Sequence, residues 1–119
     1  MGNDKTNIRL SREASDIANK LKEKNKFKDA MSAAKFALAY TIKNHFDEFD
    51  PEKYTKKDND GYKYNVGSVG NDLKEIVEAI YPNTNTPYAY IESLMDYGLI
   101  KIKEKMDNEQ IEDISDLCI

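Results

Sequence analysis

Few side chains in this sequence are of types, and at spacings, that do chemistry. His45 is the only histidine, and Asp47, Glu48 and Asp50 follow it, a set that offers a metal ligand or a proton acceptor. A single histidine in a polar stretch after a helix is more often an ordinary surface residue. Cys118, the only cysteine, has no histidine beside it in sequence, so no thiol nucleophile is expected. One cysteine also allows neither an internal disulfide nor a cysteine metal cluster, and a reducing, cytoplasmic setting is the expectation. The acids fall at no spacing that suggests paired carboxylates. We therefore expect no enzyme, no metal and no cofactor. What remains is a set suited to holding a polyanion: Lys5, Asn7, Arg9, Arg12, Lys26 and Lys28.

The elements that must position this set begin with Lys5 to Leu10, where Thr6, Ile8 and Leu10 alternate with Lys5, Asn7 and Arg9 as in a short strand. Ser11 is placed to cap a helix whose apolar stripe is Ala14, Ile17, Ala18 and Leu21, at i, i+3, i+4 and i+7. Asn25 tolerates the left-handed conformation that ends helices. A second helix is expected from about Lys28 to Asn44, with apolar residues nearly all round it, so it needs cover on several sides and a dimer is expected. Residues 46–70 turn polar and read as a linker or long loop, with a brief strand at Tyr62 to Val66 and a turn at Gly67 to Gly70. A third helix is expected from Asn71, as cap, to Tyr81, burying Leu73, Ile76, Val77 and Ile80. A fourth carries Tyr88, Ile91, Leu94 and Met95 and stops before Gly98. Leu99 to Lys103 fits either a strand or a helical continuation, and the acidic tail sets Ile111, Ile114 and Leu117 at helical spacing.

Composition bounds the rest. At 119 residues, with 39% hydrophobic and 34% charged residues and a mean hydropathy of −0.78, the chain fills one ordinary core and not two. No run approaches the roughly 20 apolar residues of a membrane helix, and no secretory leader is expected at the N-terminus. Gly2 followed by Thr6 fits the short myristoylation pattern, which an ordinary Gly2 also satisfies. The net charge of −4 is uneven: through His45 ten Lys and Arg face five acids, a balance of +5, and the remainder balances at −9. A basic front tracks phosphates, whereas lysine-rich helices that are merely well solvated give the same count. Gly67-Ser68-Val69-Gly70 imitates a loop that grips a nucleic-acid backbone but lacks cations, and a turn before a helix is the better account. It lacks the lysine of a phosphate loop, so no nucleotide site is expected. The stretch Leu94 to Lys103 imitates the end of a winged helix, yet its reading helix would hold Glu92 and Asp96 and no Lys or Arg.

Strand, capped helix, short turn and apolar helix between Lys5 and about Asn44 resemble the ribbon-helix-helix proteins, in which two chains pair their first strands into a ribbon lying in the DNA major groove. That resemblance implies a mainly α fold, with a ribbon-helix-helix-like front followed by a small helical C-terminal half bearing one or two short strands. The division expected is 1–45, a loop at 46–70, and 71–119. It implies Lys5, Asn7 and Arg9 toward base edges, with Arg12, Lys26 and Lys28 on phosphates. In place of the family's Gly-containing turn with Ser or Thr stands Asn25-Lys26-Phe27-Lys28. More broadly, Ile8-Arg9-Leu10-Ser11, the block Phe27 through Tyr40 and Tyr97-Gly98-Leu99 resemble small accessory proteins of bacterial DNA phosphorothioation and restriction clusters. Both resemblances imply DNA as partner. The competing class is a protein adaptor that touches no nucleic acid and docks through Tyr88, Tyr90 and Tyr97. A small-molecule sensor is the third.

Overall fold

The computed structural model describes residues 4–25 and 27–114. In chain order these form β1 (Asn7–Arg9), α1 (Arg12–Asn25), α2 (Ala30–His45), β2 (Lys63–Asn65), α3 (Val66–Val69), α4 (Asn71–Ile80) and α5 (Pro87–Asn108). The fold is mainly helical, with one two-stranded antiparallel sheet. No helix among the described residues is long and apolar enough to cross a membrane.

Local chemistry accounts for the first two helices. The Ser11 hydroxyl accepts the Ala14 amide at 3.2 Å, and Ala14, Ile17, Ala18 and Leu21 are all buried, as their spacing predicts. α2 starts after Asp29, whose carboxylate accepts from both the amide and the hydroxyl of Ser32 at 2.8 Å. That amide bond, the hydroxyl bond and the nearby Lys28 and Lys35 hold the Asp29 carboxyl below the ordinary carboxylate value. α2 packs chiefly on α5 and then on α1, so the chain covers with its own helices much of the apolar surface that the sequence left open.

Four expectations are corrected. The helix through Tyr88 does not stop at Gly98 but runs 22 residues to Asn108, which also settles Leu99 to Lys103 as helix. Gly98 serves close approach: a Cβ there would lie 2.2 Å from the Ala37 carbonyl oxygen and 2.4 Å from Thr41 Oγ1, both on α2. Gly67 to Gly70 is not a plain turn, because Val66–Val69 closes one helical turn. Asn71 is the first residue of α4 and not its cap, and Ile76 is 49% exposed, since α4 has one principal neighbour, α5, and turns Val77 fully into it.

The stretch 46–70 is anchored by aromatic rings. Phe49 stacks on Tyr97 of α5 at 4.2 Å, and Tyr54 meets both rings edge-on. The chain then returns beneath α1, where Gly61 donates to the Leu10 carbonyl at 3.1 Å and Tyr62 donates to Ser15 Oγ at 2.9 Å. A Cβ on Gly61 would lie 2.5 Å from the carbonyl oxygens of Leu10 and Ser11, so only glycine lets the chain ahead of β2 come this near to the start of α1. In the tail, Ile111 is half-buried and Ile114 buried, while Leu117 lies outside the described residues.

Candidate nucleic-acid interface

Successive residues of a strand point to opposite faces, so the register of the sheet decides what it shows to solvent. β1 pairs antiparallel with β2 as Asn7 with Asn65, Ile8 with Tyr64 and Arg9 with Lys63. Ile8 is fully buried and Tyr64 half-buried on the inner face. Burying a side chain the size of Ile8 contributes about 2 kcal/mol, which anchors a strand too short to stand alone. The outer face therefore carries Asn7, Arg9, Lys63 and Asn65, two cations and two amides. Every one of them donates hydrogen bonds, as a surface reading phosphates and base edges requires.

Arg9 and Lys63 stand directly opposite each other, and like charges in that position destabilise a sheet. Neither has an ion-pair partner among the described residues; the Arg9 guanidinium donates to the main-chain carbonyl of Asn59 at 3.1 Å. Lys5, at the entry to β1, is 43% exposed and reaches Glu92 of α5 at 3.4 Å.

The ribbon is held from behind by buried charge. Glu92, 4% exposed, accepts the Arg9 amide at 2.8 Å, while Lys56 donates to the Arg9 carbonyl at 2.6 Å and pairs with Glu92 at 3.1 Å. These two side chains thus take the place of a third strand on the outer edge of β1. One helical turn on, the fully buried Asp96 accepts the Ser11 amide and the Tyr54 hydroxyl, each at 2.7 Å. Burial, and then the neighbouring Asp96, push the Tyr54 phenol well above its ordinary value, so it stays a donor. Asp4 caps α5 from the far end of the chain, accepting the amides of Tyr88 at 2.9 Å and Ala89 at 3.1 Å.

The remaining sequence candidates are scattered. Arg12 is exposed, lies 3.9 Å from Asp16, and its amide donates to Asp58. Lys28 is exposed just before α2, where the amide of Ser32 is already met by the Asp29 carboxylate. Lys26 and Cys118 lie outside the described residues. Tyr97 stacks within the Phe49 and Tyr54 cluster, Tyr90 meets Tyr81 at 5.3 Å, and Tyr88, Tyr90 and Tyr97 are each half-buried. His45 bonds through Nδ1 to Glu48 and lies between Tyr40 and Tyr97. No group of three His, Cys, Asp or Glu residues that could hold a metal occurs among the described residues.

The sequence reading missed Lys63 and Asn65 as partners of Arg9 and Asn7, and Lys56, Glu92 and Asp96 as their support. The alternation of Tyr62, Tyr64 and Val66 with Lys63 and Asn65 repeats that of β1 and was the available signal for the first pair. Acids four apart, Glu92 and Asp96, among the apolar residues from Ile91 to Leu99 were the signal for the second. The chain matches no family model, no curated protein and no solved structure.

Proposed function

We propose that this chain binds duplex DNA through the outer face of the β1–β2 ribbon, with Asn7, Arg9, Lys63 and Asn65 in contact and Lys5, Arg12, Lys26 and Lys28 as flanking phosphate partners. A two-stranded ribbon is among the elements that the major groove admits. The single observation that carries the reading is the opposed Arg9 and Lys63 pair. An arrangement that costs stability in the free protein and is relieved by an anion is what a binding face tolerates and a structural face discards. The reading keeps the ribbon of the ribbon-helix-helix resemblance and draws its second strand from within the chain. In a cytoplasmic setting such a protein would serve as a small repressor or as the DNA-facing accessory of a modification or defence complex.

The test is binding to a fluorescent random-sequence duplex at two salt concentrations. If about four phosphates are neutralised, affinity falls about a hundredfold between about 50 and 200 mM salt. Arg9→Ala and Lys63→Ala each then reduce the salt slope by about one. Absence of binding at the lower salt overturns the proposal.

A second reading, a protein adaptor that touches no nucleic acid, is favoured by the exposure of Ile76 at 49% and Phe46 at 44%. Arg9→Glu combined with Lys28→Glu separates the two, because it abolishes DNA binding and leaves an adaptor able to dock.

A further inference from the structure

The two edges of the ribbon are finished differently. The Val66 amide donates to the Thr6 carbonyl at 3.2 Å, and in an antiparallel ladder hydrogen-bonded pairs alternate with non-bonded ones. Ile8 with Tyr64 is therefore a bonded pair, whereas Asn7 with Asn65 and Arg9 with Lys63 are not. The main-chain groups of Arg9, Lys63 and Asn65 consequently point out of the ladder. On the β1 side, Glu92 and Lys56 take both groups of Arg9. On the β2 side, the Asn65 carbonyl accepts from Ser68 Oγ, but the amides of Lys63 and Asn65 and the carbonyl of Lys63 meet no partner among the described residues. The Lys63 side chain does not guard this edge, because it rises from the face of the sheet, opposite Arg9.

We propose that this open edge pairs antiparallel with the same edge of a second copy, about a two-fold axis through Tyr64, when two copies lie side by side on a duplex. The inference rests on the nucleic-acid reading. Register favours it: with the axis at Tyr64, Lys63 faces Asn65 of the second copy and the two exchange both main-chain bonds, the Asn65 carbonyl accepting on the lone pair that the Ser68 hydroxyl leaves open, so no lysine faces a lysine. The outer faces then merge into one four-stranded surface with Arg9 and Lys63 each present twice. A second copy suits the edge better than a loose peptide, since its strand is already ordered and loses less entropy on pairing. Three residues a side fall well short of the roughly 1,200 Å² of a stable interface, and the cations repel across the axis. Pairing therefore needs the phosphates that neutralise them.

Asn65 has φ of −70°, the value that proline imposes. Asn65→Pro removes one edge amide without touching the Val66 to Thr6 bond, and Asn65→Ala loses the same side chain but keeps that amide. Both full-length variants are compared by sedimentation on a duplex holding two footprints, with circular dichroism to check the fold. The Ala variant binds in pairs, its second copy about tenfold or more tighter than its first. The Pro variant matches it in first-copy affinity and loses that advantage. Equal cooperativity in the two, or none in either, overturns the proposal. If no form binds duplex, the nucleic-acid reading falls by itself. The edge is then tested at the highest protein concentration attainable: self-association of the Ala but not the Pro variant sustains the pairing, and any other result removes it. Should Asn65→Pro fail to fold, Lys63→Pro against Lys63→Ala repeats the comparison.

Discussion

Where α2 crosses α5, side chains have been removed, and where β1 meets α5, charge has been buried. At the crossing, Gly98 faces the Ala37 carbonyl and Thr41, and the Thr41 hydroxyl lies 3.0 Å from the carbonyl oxygens of both Ala37 and Leu94. Two backbones meet there with nothing between them but one hydroxyl, and the attraction is close packing. Two positions before and after Leu94, on the β1 side of the same helix, the order is reversed: Glu92 and Asp96 reach out to backbone amides of Arg9 and Ser11, which no helix or strand would otherwise satisfy. A single helix thus holds a neighbouring helix by shape and a neighbouring strand by hydrogen bonds to its backbone. A three-residue strand, too short to bury much surface, is fixed here through its main chain. That leaves its outward side chains free to differ from what stability alone would choose.

Glu92→Ala leaves the part-buried Arg9 amide unpaired and Lys56 with the Arg9 carbonyl alone, and is expected to cost about 3 kcal/mol, read by urea unfolding. A loss below about 1 kcal/mol would mean that the ribbon does not depend on this clamp. Gly98→Ala drives a methyl into backbone atoms of α2 and is expected to cost about 2 to 3 kcal/mol by the same measurement. The smallest effect has the opposite sign. Lys63→Glu replaces the opposed cations by an ion pair with Arg9, so it should stabilise the fold by about 0.5 kcal/mol while weakening duplex binding. Stability and binding falling together in that variant would argue that the opposed cations serve the fold and not a ligand.

Much of the front half was legible because its signals are local. Ser11 caps, the Ala14 to Leu21 stripe buries, and the alternation of Lys5 to Leu10 places Asn7 and Arg9 outward, each from residues within one or two turns of one another. The stop assigned before Gly98 failed for a reason no local rule contains. A glycine that weakens a helix by itself is tolerated where a second backbone must come within contact. Ile76 was misassigned to the core for a related reason: a helical stripe shows which residues can be buried, but only the neighbours determine how much of it they cover. Among the candidate residues, the alternation marked out Asn7 and Arg9, while their partners Asn65 and Lys63 lie more than 50 residues away, where a like alternation marks a strand but not which strand it pairs with.

Sequence alone carried the helical character of the chain, the start of its first helix, the faces that α1 and β1 turn inward, and the uneven charge between its halves. Each follows from propensity, capping or periodicity over a few residues. Only the tertiary structure decided that β2 is the neighbour of β1, that Arg9 is set against Lys63, and that Asp4, Glu92 and Asp96 meet backbone amides across separations of more than 80 residues. Those pairings depend on which surfaces meet once the core has closed, and nothing in either segment alone records its partner.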